Sequence, residues 1–203
     1  ETYEHFETAR TLDPTFASAH YQSASFWISQ VATSSMGSNL VDESYQESLA
    51  NFSERMELAI EYANATDKIN YEAYLALVNL EYRRSIDLYS QYLELRPNDF
   101  EAFSNLIQAV SYLGEYDLGY EIIKGNNPFN LSNSIELGLL IPTYYWINHA
   151  EEGKDLALES ADKFPYDESM LYQAHRLLLW AGEYDKAREV VQKITGRQLL
   201  NES

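Results

Sequence analysis

The chain has 203 residues, 45% of them hydrophobic, with no cysteine and a net charge of −18 from 32 acids and 14 bases. That rules out disulfides, thiolate metal sites and cysteine nucleophiles. It also makes nucleic acid an unfavourable partner, because binding it takes a basic patch that displaces counterions. An anionic membrane surface is disfavoured by the same Coulomb argument. The longest apolar run, 137–141 (LGLLI), is far short of the roughly 18 residues that span a bilayer.

In chain order, the first stretch, YEHFETARTLDP, reads as a helix closed by Pro14. It starts without Met and in mid-helix, so the expectation is a piece of a longer protein, and cytoplasm and periplasm both stay open. A helix is expected from Ala17. Residues 30–44 (QVATSSMGSNLVDES) are rich in Ser, Gly and Asn and read as a loop or lengthened hairpin tip. Next comes a long helix with Leu49, Phe52, Met56, Ile60 and Ala63 at helical spacing. Further helix pairs follow, punctuated by ELRPND at Pro97, GEYD at Gly114, DKFPYD at Pro165 and GEYD again at Gly182. The two prolines are 68 positions apart, and so are the two glycines; half of that is 34. A period of this size marks stacked helical hairpins. The glycines suit the left-handed turn that ends a first helix. Pro142, inside an expected helix, removes a backbone bond and predicts a kink.

These residues resemble the tetratricopeptide repeat family over nearly the whole chain. With the closing Pro at position 32, Gly114, Tyr116 and Gly119 fall at positions 15, 17 and 20, as do Gly182, Tyr184 and Ala187. Tyr82, Ser85, Tyr89 and Pro97 fall at positions 17, 20, 24 and 32, and Phe6, Ala9 and Pro14 match the end of an upstream repeat. The resemblance implies an all-α protein, an α-solenoid of stacked antiparallel hairpins in one array. It would hold a half repeat at 1–14 and repeats near 17–65 (with a long insertion), 66–99, 100–133, 134–167 and 168–201. The fourth repeat departs from the pattern, with Asn148 and Ala150 where Gly and Tyr are expected. Local distortion is expected there. The lengthened early repeat further resembles the tetratricopeptide tails of bacterial multidomain signalling and regulatory proteins.

In that family the concave face is lined by first helices and holds a peptide or helix. The resemblance places Asn70, Tyr74, Gln108, Tyr112, Tyr145, Trp146, Tyr172, Arg176 and Trp180 in this groove. No Lys occupies position 5 of any repeat, so the carboxylate clamp of the chaperone-tail-binding members is absent. Six of the nine groove residues are aromatic, which suits docking by apolar anchors. The expected function is non-catalytic protein–protein interaction, with a partner that is basic or apolar-anchored. The alternatives are a small-molecule sensor domain and self-association through an open end of the stack. The histidines lack metal-ligand spacing, and no phosphate loop or nucleophile elbow occurs, so neither a catalytic residue, a metal nor a cofactor is expected.

Overall fold

The computed structural model describes residues 2–35, 43–125 and 133–201. Among these the protein is all-α, with eleven helices and no strand. They are α1 (Thr2–Leu12), α2 (Ala17–Ser35), α3 (Glu43–Tyr62), α4 (Ala65–Val78), α5 (Tyr82–Leu95), α6 (Phe100–Tyr112), α7 (Tyr116–Gly125), α8 (Ser134–Trp146), α9 (Ala150–Lys163), α10 (Glu168–Trp180) and α11 (Tyr184–Asn201). The chain divides into two compact units, Glu1–Asn79 and Leu80–Ser203.

In the first unit α2 packs against both α1 and α3, and α3 also packs against α4. The stretch 30–44, expected as a loop or lengthened hairpin tip, is helical at both of its ends. Residues 30–35 complete α2 and Glu43 opens α3, while 36–42 lie outside the described residues. A Ser-rich stretch has no strong helix preference of its own, and packing overrides so weak a signal. The long α3 buries Phe52, Met56 and Ala59, with Ile60 partly buried beside them. Tyr21 and Tyr71 stack at 4.5 Å within this core. Asn64 caps α4, its side chain accepting from the amides of Thr66 and Asp67.

The second unit is periodic. Its second helices α5, α7, α9 and α11 begin at Tyr82, Tyr116, Ala150 and Tyr184, each 34 residues after the last. Three of its first helices start behind N-caps at Asp99, Asn133 and Asp167, again 34 apart, each accepting a bond from a first-turn amide. The elbows repeat as well. Leu80, Gly114, Asn148 and Gly182 all have positive φ, at 63°, 76°, 57° and 75°. At the last three, the amides of Glu115, His149 and Glu183 donate to the carbonyls of Val110, Tyr144 and Leu178, five residues back. The amides of Gly114, Asn148 and Gly182 donate to Ser111, Tyr145 and Leu179. This pair of bonds closes a helix C-terminus through one left-handed residue.

The fourth repeat therefore keeps its elbow despite lacking Gly. Asn tolerates the left-handed region better than most residues, because its short polar side chain bonds locally. Helix α8 continues through Pro142, which is buried.

A small residue recurs at the hairpin crossings. Ser85, Gly119, Gly153 and Ala187 are 34 apart and all buried. A Cβ on Gly119 would meet Ile147 Cγ2 at 2.6 Å, and one on Gly153 would meet Tyr144 Cγ at 2.7 Å. Side chains are excluded there by the neighbouring helix. Among the described residues, two apolar clusters run through the unit. One joins Phe103, Ile107, Ile123, Leu140 and Ile147; the other joins Leu137, Ile141, Met170, Leu171, Leu177 and Leu178 with neighbours on α9 and α11. Burying each such side chain contributes about 1.5–3 kcal/mol.

Candidate binding face on the first helices

Within the second unit α6 packs on α8 and α8 on α10, so three first helices form a continuous row. Helices α7 and α9 pack on their own first helices, and α9 and α11 both pack on α10. One surface is thus built from α6, α8 and α10. Five of the expected groove residues here are aromatic: Tyr112, Tyr145, Trp146, Tyr172 and Trp180.

Their environments differ. Tyr112, Tyr172 and Trp180 are 57%, 52% and 63% exposed. Trp146 is half-buried and Tyr145 is buried. Tyr145 is the hub of the cluster. Its ring stacks with that of Trp180 at 6.4 Å and 12°, and meets that of Trp146 edge-on at 6.0 Å. Its hydroxyl donates to Gln173 Oε1 at 3.1 Å. Arg176 lays its guanidinium 4.9 Å from the centre of the Tyr145 ring and 5.7 Å from that of Tyr172. Burial raises the Tyr145 hydroxyl above its ordinary pKa, against the opposing pull of Arg176. The ring is a neutral packing element, and the cation it engages is half-buried.

Gln108 is half-buried on α6. Ser111, one residue before Tyr112, donates its hydroxyl to the Trp146 carbonyl at 2.7 Å, which ties the end of α6 to the end of α8. Tyr82, which the groove positions do not include, sits 5.1 Å from Tyr112, ring to ring.

In the first unit, Tyr74 is half-buried and packs edge-on against Tyr21 at 5.5 Å and Phe52 at 6.2 Å. Asn70 is half-buried on the same helix.

The charge pattern sets the α6–α8–α10 face apart. Residues 80–203 carry 20 acids and 11 bases. Along α6, α8 and α10 only Glu101, Glu136, Glu168 and Arg176 are charged. An aromatic, nearly uncharged strip on so acidic a surface is the compositional mark of a contact site.

The remaining polar clusters are structural. His149 opens α9, with its ring stacked on Tyr120 at 4.3 Å and Nδ1 3.0 Å from Glu152 Oε1. That hydrogen bond holds the Glu152 carboxyl below its usual range. The Nδ1 of His175 lies 2.9 Å from the Ala187 carbonyl, joining α10 to α11. Asp167 is held below the usual carboxylate range, first by the Met170 amide it caps and then by Ser134. Among the described residues no group of three or more His, Asp or Glu is placed to hold a metal, and no helix is long and apolar enough to cross a membrane.

The column Tyr112–Trp146–Trp180 could have been found in the sequence, since the three lie 34 residues apart. No family model matches this chain, and no curated protein matches it.

Proposed function

We propose that this chain is a non-catalytic tetratricopeptide array, the docking part of a larger regulatory protein, and that residues 80–203 hold a protein segment against α6, α8 and α10. The observation that carries this reading is the exposure of Tyr112, Tyr172 and Trp180 on a face almost free of charge. Large rings supply contact area at low side-chain entropy cost and dominate binding hot spots. The 34-residue recurrence of elbows, caps and small crossing residues supports the family assignment. The packing also supports it: the first helices touch one another in a row, while the second helices make their main contacts with first helices. A row that is tighter on one side curves toward that side, which favours a concave face on α6, α8 and α10.

The test is selection of peptides from a random display library on the intact chain. Affinities of the winners are then measured by fluorescence anisotropy on the wild type and on a Tyr112→Ala/Tyr172→Ala/Trp180→Ala variant with an unchanged helical spectrum. Loss of two exposed hot-spot rings or more predicts at least about a tenfold weaker complex. Winners that bind the variant as tightly as the wild type would reject this face as the site.

A further inference from the structure

In this acid-rich chain an arginine ordinarily has a carboxylate beside it. Arg10, Arg84 and Arg188 each pair with the acid three residues back: Glu7, Glu81 and Asp185. Arg176 does not. Three and four residues back stand Gln173 and Tyr172, and three and four ahead stand Leu179 and Trp180, so its own helix places no acid next to it. On neighbouring α8 the one acid, Glu136, is buried and accepts from the Asn133 side chain. Among the described residues Arg176 makes neither an ion pair nor a hydrogen bond.

What holds the guanidinium is aromatic. It lies 4.9 Å from the centre of the Tyr145 ring and 5.7 Å from that of Tyr172. Ring faces attract the charge, but they take up none of its five N–H donors in ordinary hydrogen bonds. Gln173 Oε1, the amide oxygen nearby on α10, accepts from the Tyr145 hydroxyl. A positioned, half-buried fork of donors is therefore left without an acceptor from the described residues. The planar fork matches a carboxylate, with two parallel hydrogen bonds, and partial burial strengthens such a pair.

The surroundings say where that carboxylate comes from. Tyr172, Arg176 and Trp180 follow at four-residue steps and so share one stripe of α10. Both rings are exposed. A segment lying along the stripe meets a ring, then the cation, then a ring, so its chain continues on both sides of the acid. That is the place of an internal Asp or Glu, not of a free C-terminus. Residues 80–203 carry 20 acids and 11 bases, which repels an acidic segment at long range and leaves the rest of the occupant neutral or basic.

We propose that Arg176 anchors a side-chain carboxylate: the segment docked on α6, α8 and α10 carries one Asp or Glu between two apolar residues that cover Tyr172 and Trp180. This step rests on the docking role proposed above and names the chemistry of the partner.

The experiment uses the full chain and two dodecapeptide libraries displayed through their C-termini, so that no free terminal carboxylate is offered. One library is complete and the other lacks Asp and Glu. The complete library is expected to yield binders with an acid at one recurrent position. The best of them is synthesised with capped ends, labelled with fluorescein, and compared by anisotropy with the same peptide carrying Asn or Gln for the acid. On the wild type the amide should weaken binding about tenfold, as loss of a charge-assisted hydrogen bond does. On Arg176→Gln the two peptides should bind alike, and Arg176→Lys, a cation without the fork, should recover only part of the difference. The peptide pair on the wild type tests the carboxylate with no change to the protein. An amide peptide that binds the wild type as tightly, or an acid-free library that yields equally tight binders, overturns the proposal. So does an acid whose loss weakens binding equally on Arg176→Gln. If those binders still weaken on the Tyr112→Ala/Tyr172→Ala/Trp180→Ala variant, the face stands and only the carboxylate assignment fails. If neither library yields a binder, both fall.

Discussion

The close approach at Gly153 permits a prediction whose sign depends on the tertiary structure. Local propensity argues that Gly153→Ala, inside α9, should stabilise the helix by about 1 kcal/mol. The neighbours argue the reverse. An added Cβ would lie 2.7 Å from Tyr144 Cγ, 2.9 Å from Tyr144 Cβ and 3.0 Å from Leu177 Cδ2. Carbon pairs prefer about 3.5–4.0 Å, so Tyr144 would have to retreat by close to 1 Å. Its Cβ is bonded to the backbone of α8, so the retreat moves that helix, and fully buried Leu177 crowds the same point from α10. Overpacking of this kind costs about 1–3 kcal/mol, and rigid neighbours put it at the upper end. The expected net is a loss of about 1–2 kcal/mol. Gly138→Ala is the control: it is also helical, but its Cβ would meet nothing within 4 Å. It should gain about 0.5–1 kcal/mol. Urea unfolding followed by circular dichroism should separate the two variants by about 1.5–3 kcal/mol, on opposite sides of wild type. If Gly153→Ala is as stable as Gly138→Ala, the packing argument at the hairpin crossing is wrong.

Leu80 carries the left-handed elbow without glycine, at φ 63°, and is 69% exposed. Leu80→Gly should stabilise the chain by about 0.5–1 kcal/mol, since relief of about 1–2 kcal/mol of strain outweighs the added entropy of the unfolded chain. Gly182→Ala, with an unobstructed Cβ at φ 75°, should lose about 1–2 kcal/mol from backbone strain alone; thermal melts of both variants check the pair. Removing the cap with Asp167→Ala should cost about 1 kcal/mol in denaturant titrations at pH 7. Because the folded Asp167 carboxyl titrates below its unfolded value, its contribution is complete above the unfolded value of about 3.9. It is lost as pH falls through the lower folded value. The gap between wild type and Asp167→Ala should therefore hold from pH 7 to about 5 and close in strong acid.

The elements legible in the sequence are those set by local chemistry. Gly114 and Gly182 announce left-handed elbows because few other residues enter that region cheaply, and both are found there. Phe52 and Met56 mark the buried face of α3 because apolar side chains at helical spacing fall on one side. The elbow at Asn148 was harder to read, since Asn is only a weak signal for the same conformation. The full length of α2 was hidden too, because its Ser-rich end lacks helix preference of its own.

What the sequence by itself determined is the register: helices, turns and a 34-residue beat, all written in residues that act on their immediate neighbours. What only the tertiary structure decided is which rings face outward. Tyr145 and Trp146 are adjacent in sequence, and Trp180 is equivalent to Trp146 by the repeat. Yet Tyr145 is buried, Trp146 half-buried and Trp180 exposed. Exposure is set by the helix packed alongside, contributed by residues about 34 positions away. No local pattern encodes that contact; it exists only once α8 and α10 lie together.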